Sequence, residues 1–216
     1  MISVVGYGSL LSERSARETV PGLQNFRLVK VAGYRRIFNK VGMVFITRHG
    51  AAPSSVAIAS CSTQVAAEGE IICCQFECSD AEFSDLYERE HRFRWVEVQT
   101  VSFAGDVAHG RMCTTYTDVD YRLNKCITDA EYQRRVGRFY QGALWREDIL
   151  PFPRYLAFCL QAAESQGDAV LDNFLDSSFL ADGVTSLRRY LRQTPELQNW
   201  REMNAGYRYV QQPTSE

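Results

Sequence analysis

The first half of the chain alternates apolar and polar positions with the period of two that is typical of β-strands. Its segments are rich in valine, isoleucine, phenylalanine and cysteine, which favours a sheet or a barrel over a helical bundle. The predicted strands are 3–6, 28–38, 43–48, 55–62, 70–77, 96–103 and 110–116. Glycine and aspartate between positions 104 and 110 supply the turn of a hairpin that joins the last two strands.

The second half carries helix signals instead of alternation. Thr128 and Glu131 have the spacing of a capping box, and Pro153 stands at the start of a predicted helix over 154–164. After Thr185 the apolar residues recur with helical spacing while three arginines fall on other faces, which predicts one packed and one solvated face. The polar tail, 211–216, is expected to fray.

An earlier helix places an acidic residue on its apolar side. Ser79 and Glu82 form a capping box, so a helix is predicted to begin near Asp80. Continuing the apolar series from Phe83 by helical spacing leads to Glu90. A carboxylate in such surroundings is suited to take and return a proton, as a general base does. The alternative is that the helix ends there and Glu90 pairs with a nearby arginine at the surface.

The arginines around this position are interpreted as a solvated helix end. Arg89 is predicted to face away from the apolar stripe, and it forms a small basic cluster with His91, Arg92 and Arg94.

The chain also begins with a candidate anion site. An apolar strand runs into the turn Gly6-Tyr7-Gly8-Ser9-Leu10. Glycines allow a close approach of the backbone, and unpaired N–H groups at such a turn suit a substrate carboxylate or phosphate.

Composition narrows the function classes. The hydrophobic fraction of 45% is ordinary for a globular core, and a net charge of −2 provides no field to hold nucleic acid or an anionic membrane. No apolar run approaches ~20 residues and no leader pattern is visible, so we expect a soluble cytoplasmic protein. The seven cysteines lack paired C-x-x-C spacing, which favours a reducing compartment and core thiols, and predicts no metal site.

Three segments together resemble the γ-glutamylcyclotransferase-like proteins, with the ChaC-type glutathione-degrading branch the nearest. They are Gly6-Tyr7-Gly8-Ser9-Leu10, Gly33-Tyr34-Arg35-Arg36 and Leu86-Tyr87-Glu88-Arg89-Glu90. Two departures, Ser12 in place of a tryptophan and His91-Arg92-Phe93 in place of a glycine-rich stretch, concern substrate choice. The resemblance implies that Glu90 is the catalytic base. It also implies a substrate-binding set of Tyr7, Gly8, Ser9, Leu10 and Tyr116, and Arg35 is a candidate for a second substrate carboxylate.

The same resemblance implies a fold and an activity. The expected fold is α+β, a mixed sheet closing into a small barrel with helices outside, over 1–165, and a helical C-terminal extension over 166–216 packs on it. The expected reaction converts a γ-glutamyl peptide, such as glutathione or a γ-glutamyl amino acid, to 5-oxoproline and the released amine. It needs no cofactor and no partner other than the small-molecule substrate.

Three other functions remain open from the residues. Ser9 with His49, His91 or His109 could form a hydrolase, although the G-x-S-x-G order is absent. A nucleotide binder would use the same turn but lacks G-x-G-x-x-G. A non-catalytic binding or regulatory module could keep the same fold and cavity without turnover.

Overall fold

The computed structural model describes residues 1–203, and the expected fraying of 211–216 lies outside this range. Its strands are β1 (Ile2–Gly6), β2 (Gln24–Val41), β3 (Ala57–Cys78), β4 (Arg94–Ser102), β5 (Val107–Thr114), β6 (Leu150–Pro151) and β7 (Ser178–Leu180). The α-helices are α1 (Glu13–Arg17), α2 (Met43–Thr47), α3 (Asp80–Arg89), α4 (Asp118–Lys125), α5 (Asp129–Tyr132), α6 (Pro153–Ser165), α7 (Asp168–Asp176) and α8 (Leu187–Gln193). Short 3-10 helices cover Ser9–Leu11 and Pro195–Leu197, and a π-helical turn covers Gln133–Gly137.

Five of the strands form a closed barrel. The order around it is β3, β1, β5, β4 and β2, and β2 pairs again with β3 to complete the ring. The β1–β5 pairing is parallel and the other four pairings are antiparallel. The predicted α+β fold with a mixed sheet closing into a small barrel is therefore confirmed.

Two long strands carry the barrel wall beyond the ring. The predicted strands 55–62 and 70–77 are parts of one strand, β3, which runs against β2 along almost its whole length. This pairing is interrupted by register shifts, one of them between Ile37 and Lys40. Such irregularities bend a strand, so the long pair can belong to the barrel at one end and continue beyond it at the other.

One predicted strand is wrong. Residues 43–48 were expected to be extended, but Met43–Thr47 form α2, which buries Met43 and Phe45. A short apolar run does not distinguish a strand from a buried helix, and here packing decides. The Phe45 ring stacks on Phe152 at 4.4 Å and folds back over Gly42, where a Cβ atom would lie 2.2 Å from that ring.

The predicted helices are confirmed at α3, α5, α6 and α8. The capping box at the start of α3 is complete, because the Ser79 hydroxyl accepts from the Glu82 amide while the Glu82 carboxylate accepts from the Ser79 amide. Helix α8 buries Leu187 and Leu191, and its Arg188 pairs with Asp172 and Asp176 of α7.

The predicted boundary between residues 165 and 166 coincides with the end of α6. The residues that follow contribute a strand as well as helices, since β7 pairs in parallel with β2. Phe174 of α7 is fully buried, and the Asn173 side chain accepts from the amide of Ile72 and donates to the carbonyl of Glu70 in β3. This segment is therefore packed closely on the barrel.

All seven cysteines are free and buried. Burial raises the pKa of Cys73 to about 12 and of Cys159 to about 12, which keeps these thiols protonated at neutral pH. The prediction that Cys74 and Cys78 act as small core residues is confirmed by their full burial.

None of the helices between residues 1 and 203 has the length and apolar character needed to cross a bilayer.

Candidate active site

A cavity of about 100 Å³ is lined by residues of the barrel strands and of the segments around them. Its walls come from the turn after β1, from α2, from the end of α3 and from α6. The turn residues Tyr7, Gly8, Ser9 and Leu10 line it together with Glu90. The structure thus brings the predicted anion site and the predicted base into one space.

The turn is a tight backbone feature. It continues into the 3-10 helix Ser9–Leu11, in which the amide of Leu11 donates to the carbonyl of Gly8 at 3.0 Å. The amides of Ser9 and Leu10 precede Leu11, the first donor of this helix, and have no partner within it. Gly6 permits the close return of the chain, because a Cβ atom there would lie 2.5 Å from the Cβ atom of Leu10.

Arg36 holds the backbone of the turn in place. It is fully buried, and its Nε donates to the carbonyl of Tyr7 at 2.7 Å. The other guanidinium nitrogens donate to Ile72, Asn173 and Ser177. A planar guanidinium with several rigidly oriented donors can connect the turn, β3 and α7 in this way, which a lysine could not do.

Glu90 terminates α3. Its amide donates to the carbonyl of Leu86 at 2.9 Å, but its own backbone has left the helical region. The helix does end at this position, as the alternative interpretation had it, yet the Glu90 side chain is only 20% exposed and faces the cavity. The surroundings are ionic as well as apolar, because the Arg89 Nε lies 3.0 Å from the Glu90 Oε1 atom.

The structure corrects the prediction for Arg89. Its side chain is 5% exposed rather than solvated, and it lines the cavity. Its Nη1 donates to the Thr19 hydroxyl at 2.8 Å, and its Nη2 lies 3.5 Å from the Ser9 hydroxyl. Arg89 thereby connects the end of α3 to the turn and holds Glu90 beside it. His91 is buried too, so the predicted solvated cluster does not form.

A lysine that the sequence did not single out also lines the cavity. Lys40 of β2 is 6% exposed, and its ammonium lies 4.4 Å from the centre of the Phe93 ring. The pKa of Lys40 is lowered to about 7, chiefly by burial and also by the charge of Arg92, while Glu90 opposes the shift. Lys40 follows Arg36 and Phe38 at alternate positions, but the predicted strand ended at Phe38 and so excluded it.

Two tyrosines complete the inner wall. Tyr7 and Tyr155 are buried, and burial raises the pKa of both phenols well above the usual value. A Cβ atom on Gly8 would lie 3.2 Å from the Tyr155 hydroxyl, so this hydroxyl lies directly against the turn. Both groups can act as neutral hydrogen-bond donors at physiological pH.

Arg35 and Tyr116 are not brought to the cavity, and neither is among the described residues that line it. Arg35 donates to the carbonyl of Gly183 at 2.9 Å and packs on the Phe179 ring, because neighbouring residues of a strand face opposite sides and Arg36 takes the inner one. Tyr116 packs its ring against Tyr121 and Trp145.

The geometry does not support the serine hydrolase. None of the three histidines is among the described residues that line the cavity, and the Ser9 hydroxyl lies near Arg89 instead. A hydroxyl needs an adjacent base to become a nucleophile, which a guanidinium cannot provide.

Comparison with solved structures places the fold. A structure described as a gamma-glutamyl cyclotransferase matches with a TM-score of 0.52 and 13% identity, covering 77% of this chain and 80% of that one. The chain has the γ-glutamyl cyclotransferase fold. The uncharacterized protein loc79017 from Homo sapiens matches with the same TM-score of 0.52, at 14% identity and over the same shares of the two chains.

Comparisons of the sequence alone find no related protein. No protein-family model matches the chain. No curated protein matches it either. The function of this chain therefore has to be inferred from the geometry of the Tyr7–Leu10 turn and Glu90 within the γ-glutamyl cyclotransferase fold.

Proposed function

We propose that the protein is a γ-glutamylcyclotransferase that converts a γ-glutamyl amino acid or peptide to 5-oxoproline and the released amine. The observation that carries this proposal is the single cavity shared by Glu90 and the turn Tyr7–Leu10. The fold of the neighbouring structures and the resemblance of three segments to the ChaC-type branch support it.

The reaction is intramolecular. The α-amine of the glutamyl group attacks its own δ-carbonyl carbon, a C–N bond closes the five-membered ring, and the C–N bond to the leaving amine breaks. Nucleophile and electrophile belong to one molecule, so the enzyme has to supply the folded conformation, a proton acceptor and stabilisation of the oxyanion. The reaction consumes neither water nor a second substrate.

The described residues match these tasks. Glu90 takes the proton from the α-ammonium and returns it to the leaving nitrogen. The amides of Ser9 and Leu10 bind the α-carboxylate. The protonated phenols of Tyr7 and Tyr155 are available to the carbonyl oxygen as charge develops on it. Arg89 holds Glu90 and Ser9 in register as a positioning residue.

The test is release of 5-oxoproline from glutathione, a γ-glutamyl dipeptide and a γ-glutamylamine. Glu90→Gln keeps the size of the side chain and removes its ability to accept a proton, so kcat should fall by about 10²- to 10⁴-fold. The matched control is Glu88→Gln in the same helix, since Glu88 is exposed and pairs with Arg135. A folded Glu90→Gln protein with wild-type turnover would contradict the proposed role of Glu90.

The Arg89–Glu90 ion pair favours a second candidate, the non-catalytic binding module. A guanidinium 3.0 Å from the carboxylate competes with a substrate ammonium for the same oxygen. This candidate predicts that 5-oxoproline or a γ-glutamyl compound binds in the cavity while none of the three substrates is turned over. Turnover of any of them by the wild type, abolished in Glu90→Gln, excludes it.

A further inference from the structure

The cavity contains a buried lysine that forms no ion pair with any residue between 1 and 203. The Lys40 Nζ donates to the carbonyl of Val41 at 3.4 Å and lies 4.4 Å from the centre of the Phe93 ring, and Glu90 acts on it only as a more distant charge. An ammonium can donate three hydrogen bonds, and burying one unpaired costs several kcal/mol, roughly, even after relaxation of the surroundings. A leucine or methionine at this position would fill the space at no such cost.

The other charged groups of the cavity are already engaged. Its described lining contains Lys40, Arg89, Arg92 and a single acid, Glu90. Arg89 pairs with Glu90, and the Arg92 Nη2 donates to the carbonyl of Arg135 at 2.7 Å. The lining of the cavity therefore has an excess of positive charge, and Lys40 contributes the ammonium that forms no ion pair within residues 1–203. An anionic group of a ligand would balance this charge.

The position of Lys40 indicates which anionic group. The turn that would hold the α-carboxylate is fixed by Arg36, and Lys40 lies four residues further along β2. Both the turn and Lys40 line the cavity, and the irregularity of β2 between Ile37 and Lys40 lies between the two positions. The second carboxylate of a γ-glutamyl amino acid is separated from the first by the glutamyl chain and an amide, so it cannot share the amides of Ser9 and Leu10 with the first and needs a cationic group elsewhere in the same cavity.

We propose that Lys40 binds the carboxylate of the leaving amino acid or peptide, so that the protein acts on γ-glutamyl amino acids and peptides in preference to γ-glutamylamines. This inference rests on the proposed cyclotransferase function. It assigns Lys40 the role that the sequence analysis gave to Arg35, whose guanidinium is bound to Gly183 outside the cavity.

The proposal has a pH signature. Lys40 faces Arg92, Glu90 and Cys113, and the pKa of its ammonium is lowered to about 7, chiefly by burial. Only the protonated amine attracts a carboxylate, so affinity for that group is full below pH 7 and decreases above it. A γ-glutamylamine has no leaving-group carboxylate, and its binding does not depend on this proton.

The experiment compares γ-glutamylalanine with γ-glutamylethylamine as substrates of the full chain. For the wild type, kcat/KM for γ-glutamylalanine should be about 10- to 100-fold higher, the range expected for a charged hydrogen bond. In Lys40→Met this preference should be lost, with the γ-glutamylalanine reaction reduced at least tenfold more than the γ-glutamylethylamine reaction. Lys30→Met, which removes an exposed lysine of the same strand, should retain the preference.

Each result decides between the possibilities. If both substrates are turned over equally well, or if Lys40→Met slows both to the same extent, the proposed carboxylate subsite at Lys40 is wrong. The proposed cyclotransferase activity is unaffected by that result. If the wild type releases 5-oxoproline from neither substrate, the subsite is wrong, and the proposed function fails as well when glutathione is not turned over either. Should Lys40→Met not fold, the wild-type pH profile decides. The KM ratio of γ-glutamylalanine to γ-glutamylethylamine should rise up to tenfold per pH unit above about pH 7, and a constant ratio contradicts the proposal.

Discussion

A lysine inside a protein affects stability as well as ligand binding. Burial lowers the pKa of Lys40 to about 7, whereas in the unfolded chain an ordinary lysine has a pKa near 10.4. Between these values the unfolded chain binds the proton and the folded protein does not. Falling pH therefore favours unfolding, and the full penalty is present below about pH 7.

Lys40→Met should accordingly stabilise the ligand-free protein. The gain in the free energy of unfolding should be largest at pH 6, on the order of several kcal/mol, and should shrink as the pH rises toward 10. Thermal unfolding of both proteins at pH 6 and pH 9 measures it. Lys30→Met, which removes an exposed lysine, should show no such pH-dependent gain. A Lys40→Met protein that is less stable at pH 6 would show that the ammonium is well solvated or paired.

At the scale of elements, Arg36 joins parts of the chain that are distant in sequence. It contacts the turn after β1, the carbonyl of Ile72 in β3 and the side chains of Asn173 and Ser177. It also lies over the Phe174 ring of α7, with 4.7 Å from Cζ to the ring centre. Because Asn173 in turn binds two backbone groups of β3, the turn, the barrel wall and α7 share one hydrogen-bond network.

Arg36→Met should lower the free energy of unfolding by about 2–4 kcal/mol, because it leaves several buried acceptors without a donor. Chemical denaturation followed by fluorescence measures this loss as a decrease in the midpoint. Arg35→Met is the matched control. It removes the neighbouring arginine of the same strand, which is partly exposed, and should cost less than about 1 kcal/mol. Equal effects of the two substitutions would contradict the network.

The same elements show what the sequence could reveal. The turn Gly6–Leu10 and the start of α3 were predictable because each depends on a short pattern of glycines or capping residues. Arg89 was misplaced because α3 ends right after it, and helical spacing no longer tells where a side chain at a helix end points. Lys40 was missed because the predicted strand ended at Phe38, whereas β2 continues to Val41 and keeps Lys40 in the same buried alternation as Arg36 and Phe38.

Other features depend on distant partners that no local pattern reveals. The stretch 43–48 is as apolar as a strand, and only its packing under Phe152 makes it helical. The division of β3 into two predicted strands followed from the polar residues around Gly69, which belong to its exposed middle part. Arg35 and Arg36 could not be told apart until the register of β2 against β3 was known.

For the whole molecule, the C-terminal segment is integrated into the barrel rather than attached to it. Strand β7 extends the sheet beside β2, and Phe174 and Leu187 are fully buried. Removing this segment would expose the β2 edge and take away two partners of Arg36.

A chain ending at Ser165 should therefore lack a cooperative unfolding transition, although it contains every strand of the closed barrel. Near-ultraviolet circular dichroism during thermal or urea denaturation tests this. A chain ending at Met203, which keeps every contact described above, serves as control and should unfold in a single transition. If the chain ending at Ser165 unfolds cooperatively at the control's midpoint, residues 1–165 are an independent domain.

The closure of the barrel also bears on how the protein is made. β1 leaves the ribosome before the other strands described here, yet its parallel partner is β5, so Val4 can pair only after Arg111 has been synthesised. At about 5–20 residues per second this wait lasts roughly 5 to 20 seconds. During that time the apolar strand is unpaired on one side. Tyr155, which lines the cavity, is synthesised later still, so the nascent polypeptide cannot complete the binding site until well after β5 has been made.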